Sequence, residues 1–203
     1  MADSLTVMPK PLKFAFAAAV VLVLGLSAQN TVAAWRAEGQ VDAGSIKTGS
    51  LSLLAGNGTE SGKDYVFREL QTQNLLPGSF VQAPLTISNA GTTPLAYGLT
   101  GITTGTDSAS AKDKALAAAA RVGIYADVPP GSCTGTQQIT GQLLYSGSLA
   151  AGASFASPRG LAPAGTAGAS DILCVRLSLP SGTAQSAAGG RMTPTLSFTG
   201  QQK

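Results

Sequence analysis

The sequence contains no histidine at all. That absence excludes Ser-His-Asp and Cys-His nucleophile systems in their usual forms, the HExxH zinc site, and any metal held by imidazole. Charge is scarce too: Asp, Glu, Lys and Arg make up 11% of the chain, and the basic residues never form a run. A nucleic-acid footprint needs clustered Lys and Arg, and a charged amphipathic membrane helix is also missing. Aromatics are 5%, with Trp35 the single tryptophan. No carboxylate constellation suggests a metal, so no catalytic residue, metal or cofactor is expected.

What is present is alanine, glycine, serine and threonine, with hydrophobic residues at 44%. Disordered chains have the opposite balance, low hydrophobicity with high net charge. The mixture suits short strands joined by many turns under a neutral, hydroxyl-rich surface. The two cysteines, Cys133 and Cys174, stand in neither a CxxC nor a zinc spacing. In an exported chain an even count suggests one disulfide. It would close a loop of about 40 residues, on the order of 4 kcal/mol in the chain-entropy view. Two buried free thiols are the alternative.

Residues 1–34 read as a secretory signal. Lys10 and Lys13 precede the apolar run Phe14–Leu26, FAFAAAVVLVLGL. That run is about 13 residues, within signal length and short of the roughly 20 that span a bilayer. The small residues of "TVAA" place cleavage after Ala33 or Ala34, so a signal peptidase is an expected partner and the mature chain starts near Trp35. An uncleaved anchor is the alternative. The protein is expected outside the cell or at its surface, touching membrane only through the signal segment.

Beyond Trp35 the chain is expected to form one domain, 35–203, with 35–45 a flexible leading segment. Alternation predicts a strand over Ile46–Leu53 with Ile46, Leu51 and Leu53 inward and Gly49 at a bulge or close approach. Asn57-Gly58 and Pro77-Gly78 signal turns. Strands are predicted at 65–70, 80–91, 95–102, 122–128, 142–149, 153–157, 171–179 and 192–198, with a loose loop at 158–170. The pair 80–91 and 95–102 reads as a hairpin around "NAGTTP", and Pro84 marks an edge strand or a bulge. In "DILCVRLSL" Leu173, Val175, Leu177 and Leu179 form the core face. Cys174 lies on the other face, where it could staple the 129–135 loop down. Residues 111–121 are the single helical candidate, capped by Ser110 or Asp113. The whole points to an all-β, antiparallel β-sandwich, jelly-roll-like, with one short helix excursion.

Three stretches then carry a resemblance: the small-residue cleavage site with Trp35 and "IKTGSLSL"; "NLLPGSFVQAPLTISNAGTTPLAYGL"; and "LCVRLSLP" with "LSFTGQQ". Together they resemble the TasA/camelysin family of exported bacterial proteins, whose signals are cut by a SipW-type signal peptidase, and its actinobacterial relatives in particular. The resemblance implies a jelly-roll fold and a role in extracellular fibres or biofilm matrix. Ser52 and Ser79 stand where better-known members often carry an acidic residue, and the cysteine pair is not part of the family pattern. Some members were named as casein-cleaving metalloproteases; without histidine and with scattered carboxylates, that chemistry has no support in these residues. The expected mechanism is strand addition. After cleavage, Trp35 anchors a donor segment, helped by Val41 and Ile46, that completes a neighbour's sheet or joins other matrix proteins. Folding of the same segment back on its own domain is the alternative, as is a monomeric binding domain for a glycan or another protein.

Overall fold

The computed structural model describes residues 11, 14–15, 17–21, 48–72, 75–105 and 110–203. The chain divides into two compact units, Met1–Lys47 and Thr48–Lys203. In the first, the described residues are helical and exposed. Among the described residues no helix is long and apolar enough to cross a membrane.

The second unit is all-β with one helix. Its strands are β1 (Leu53–Gly56), β2 (Ser61–Gly62), β3 (Phe80–Asn89), β4 (Leu95–Thr104), β5 (Arg121–Ala126), β6 (Gln142–Ser148), β7 (Arg159–Leu161), β8 (Ser170–Ser178) and β9 (Pro194–Gln202), with helix α1 (Ala111–Ala119) between β4 and β5. They form a six-stranded sheet, β2-β1-β3-β8-β5-β6, and a three-stranded sheet, β7-β4-β9. Every pairing is antiparallel. From β3 onward the chain crosses between layers at nearly every connection, the jelly-roll-like feature of this sandwich.

Alternation decides which face is buried. Leu85 and Ile87 of β3, Leu95, Tyr97 and Leu99 of β4, Val122 and Ile124 of β5, and Leu173, Val175 and Leu177 of β8 form the core between the sheets. Phe155 packs into it from an irregular segment, and Phe198 from β9, with Tyr97, Phe155 and Phe198 ring centroids 6.2–6.3 Å apart. Cys174 sits on the opposite face of β8, as the period of two requires, and joins a small second cluster with Cys133 and Val128.

The structure departs from the sequence expectations at five places. Among the described residues the first strand begins at Leu53, and 48–52 hold none, while Ile46 lies outside them; Leu51 is exposed. Residues 50–52 instead lie along the β3–β4 connection, with Ala90 N–H donating to Ser52 O and Thr92 N–H to Ser50 O. Gly49 and Gly91 permit that contact: a Cβ on Gly49 would strike the Thr93 methyl, and one on Gly91 the Ser50 carbonyl. Residues 65–70 hold no strand but a 3-10 turn at Arg68–Leu70. Side-chain bonds from Asn57 Nδ2 (2.8 Å) and Tyr65 Oη (2.9 Å) to the Glu69 carboxylate fasten it to the β1–β2 turn. The segments β3 and β4 are not a hairpin; they lie in different sheets. Asn89 turns the chain, its Oδ1 accepting Gly91 N–H while its Nδ2 donates to Thr93 O and Ala162 O. Residues 153–157 form no strand, although Ala153 and Phe155 are buried, and a strand appears at 159–161 instead. Finally, β3 is flanked on both sides, yet β1 pairs only with Thr86–Asn89. Pro84 therefore faces β8 on one side and no strand of the described residues on the other.

The helix follows its signals. Ser110 caps α1, its hydroxyl accepting Asp113 N–H while Asp113 returns a bond to Ser110 N–H, a complete capping box. Arg121 Nη1 closes the other end on the carbonyls of Ala118, Ala119 and Ala120.

Candidate assembly edges

A sheet exposes unpaired N–H and C=O groups only at its edges, so an assembly site in such a sandwich is sought there. Among the described residues the edge strands are β2 and β6 in the larger sheet and β7 and β9 in the smaller. Shortness guards two of them: β2 has two residues and β7 three. The other two are long, seven residues in β6 and nine in β9. Neither "QLLYSGS" nor "PTLSFTGQQ" contains a charged side chain, the commonest natural guard of an edge.

The two long edges differ in regularity. Opposite β5, the register of β6 shifts so that Leu144 is the extra residue between Leu143 and Tyr145. Both Leu144 and Tyr145 pack against the core, leaving Leu143 53% exposed on the outer face. A bulge of this kind bends the strand and turns its edge away. The shift between β4 and β9 lies on β4, at Thr100. β9 itself is regular throughout. Its Thr195, Ser197, Thr199 and Gln201 are exposed, while Leu196 and Phe198 pack inward and stay half-buried.

These edges lie on opposite flanks. A Cβ placed on Gly200 of β9 would sit 3.8 Å from Leu53 Cβ, which puts β9 over β1. At the other flank Arg159 of β7 reaches Gln142 of β6 and Asp127 (3.4 Å each) and makes its main ion pair with Asp171 of β8.

Cys133 and Cys174 are joined, with Cα atoms 5.6 Å apart and both residues buried. The bond staples the 129–139 segment over the outer face of the larger sheet. Gln82 Nε2 donates to Thr134 O and Gln137 O beneath it, and its Oε1 accepts Arg176 Nε (2.9 Å) and Nη2 (2.6 Å). Arg176 also stacks on the Phe80 ring at 4.1 Å. Around Gln82, Cys174 and Arg176 that face is therefore covered by the 129–139 segment.

An open cleft of about 570 Å³ lies beside the Asn57–Glu69 contact, lined by polar residues including Glu60, Asp64, Tyr65 and Arg68. The Asn57 amide and Tyr65 hydroxyl hold the Glu69 carboxyl below its ordinary range; burial and that carboxylate push the Tyr65 phenol up to about 12. Among the described residues no group of three or more carboxylate or cysteine side chains is arranged to hold a metal ion.

Of the residues singled out from sequence, Cys133 and Cys174 are brought together. Ala33, Ala34, Trp35, Val41 and Ile46, with the rest of 35–45, lie outside the described residues. The edge character of β6 and β9 escaped sequence reasoning, because alternation reveals a strand but not its place in the sheet. The charge-free run "PTLSFTGQQ" was the visible hint.

Fold and edges together define a disulfide-stapled, antiparallel β-sandwich with two long uncharged edge strands. Neither a family model nor a curated protein matches the chain.

Proposed function

We propose that this chain is a secreted structural subunit of extracellular fibres or matrix, without catalytic activity, that assembles by strand addition once a signal peptidase has freed its leading segment. The observation that carries the reading is the pair of long edge strands, β6 and β9, bare of charge. An edge so composed is a template for another chain's backbone. The buried disulfide fits an oxidising compartment outside the cytoplasm. The resemblance to the TasA/camelysin family points the same way. Residues 35–45 supply the donor, with Trp35 as its anchor and Val41 and Ile46 as lesser contacts. Head-to-tail insertion of this kind does not close on itself and grows filaments. Partners are other copies of this chain or other matrix proteins.

The test compares the chain beginning at Trp35 with one beginning at Ile46, by electron microscopy and size-exclusion chromatography. Filaments from the first and none from the second are expected. If both remain monomeric under all conditions, the fibre reading fails and a monomeric secreted or surface binding domain takes its place.

A further inference from the structure

Among the described residues, one of the two long edges carries none of the guards found on the others. β6 is bulged, β2 and β7 are short, but β9 runs regularly for nine residues with its proline confined to the first position. A proline at a strand's first residue blocks nothing further along it. The side chains of β9 that face the core, Leu196 and Phe198, are only half-buried, so apolar surface is left at this flank.

We propose that β9 is a homotypic interface, through which two copies of this chain pair antiparallel about a two-fold axis and merge two three-stranded sheets into one of six. The occupant is a second copy because the strand is complementary to itself. Pairing over all nine residues requires an axis through Phe198, the middle of Pro194–Gln202. Ser197 then stands opposite Thr199 of the other copy, and Thr195 opposite Gln201, polar pairs of the kind that support cross-strand contacts. Leu196 meets Gly200, and Phe198 meets its own counterpart on the core side. The nearest charge on the C-terminal side, Lys203, falls beside Thr193, so no like charges are brought together. Isologous two-fold pairing is the commonest way for identical chains to join. This contact does not depend on the fibre reading; with β9 occupied, β6 remains as the edge open to a donor segment.

Cysteine scanning of the full-length chain with a short bis-maleimide tests the register. Ser197→Cys and Thr199→Cys each lie about 7 Å from their own copies across the axis, whereas Thr195→Cys and Gln201→Cys lie about 20 Å from theirs. Cross-linked dimer is expected from the first two and not from the last two, with peptide mapping showing Cys133–Cys174 intact. Adding Thr199→Lys to Ser197→Cys is expected to abolish the dimer. All four positions are exposed, and the outer two report on folding while the inner two report on pairing. Equal cross-linking at all four positions, or none at any, would each overturn the proposal. None of these outcomes bears on whether filaments form, which the microscopy decides separately.

Discussion

Tyr97 and Arg159 converge on one carboxylate oxygen. The Tyr97 hydroxyl donates to Asp171 Oδ2 at 2.6 Å, and Arg159 Nε donates to the same atom. Tyr97 belongs to β4 and Arg159 to β7 in the smaller sheet, while Asp171 is the second residue of β8 in the larger. The cluster is thus a polar clamp between the layers. Removing the phenol hydroxyl as Tyr97→Phe leaves a charged acceptor short of one partner, at a cost of about 1.5–3 kcal/mol. Asp171→Asn weakens both bonds and is expected to cost more. Urea melts with an unchanged slope but a lower midpoint are the check.

The same phenol makes the fold sensitive to alkali. Burial, then the Asp171 carboxylate, raises its ionisation far above the ordinary range for tyrosine. A group whose folded value is raised contributes stability that is complete below its unfolded value and is lost as pH climbs past it. Stability should therefore hold to about pH 10 and fall above it. Tyr65, pushed up to about 12 chiefly by burial, adds to the loss between roughly 10 and 12. Equilibrium melts across pH 9–12 should show a shallower decline in Tyr97→Phe than in the parent; an identical decline would remove Tyr97 from the account.

Acid acts through the helix cap. Asp113 accepts N–H groups from Ser110 and Arg191, and those bonds hold its carboxyl below the usual range, the Arg191 backbone contributing most. The sign is opposite to that of tyrosine: a lowered value contributes stability present above about pH 4 and lost as pH falls through the folded value. Asp113→Asn should flatten the acid limb of the stability curve. Ser110→Ala should cost about 1 kcal/mol at neutral pH through the lost cap. Circular dichroism melts read both.

Reduction of the disulfide should cost far more than either cap. The loop between Cys133 and Cys174, with a sequence separation of 41, predicts about 4 kcal/mol of lost stability. The double variant Cys133→Ala/Cys174→Ala is the measurement, since it avoids leaving one buried thiol. Fragmentary protection of the 129–139 amides in hydrogen exchange should accompany it, because only hydrogen bonds to Gln82 and Arg176 and the packing around Val128 would still hold that segment.

Charge placed on an edge should block assembly without unfolding the sandwich. Ser146→Lys on β6 alters an exposed side chain whose strand is already paired to β5. Its expected effect on stability is within about 0.5 kcal/mol, and its expected effect on filament growth is arrest. Normal filaments from Ser146→Lys would exclude β6 as the acceptor.

Much of this fold was legible because its strands alternate cleanly. β8 shows it best: the leucine face and the outward Cys174 follow from a period of two, and with Cys174 on that side the expected staple on the 129–135 loop is found. Ser110 and Asp113 were legible for a different reason, since capping is local chemistry. The failures are non-local. Nothing within 80–102 says that Asn89 will spend its side chain on Ala162 O, 73 residues away, and so send β4 to the other sheet. Residues 65–70 carry strand-like composition, but Glu69 is held by Asn57 from another turn. Phe155 is buried without a strand because it caps the core from a loop. For the candidate site, strand and sequence composition were readable, but edge position was not, since it is fixed by which partners are absent.

The pairing of β4 with β9 has a temporal consequence. Leu95 meets Gln202 and Thr104 meets Pro194, so the middle strand of the smaller sheet must wait for residues 194–202. A molecule still being synthesised, before residues 194–202 are free, has Leu95, Tyr97 and Leu99 of β4 without β9 and its Phe198. The wide sequence separation of these contacts makes that pairing slow. Until then the surface that later becomes interior is what any attendant chaperone would meet.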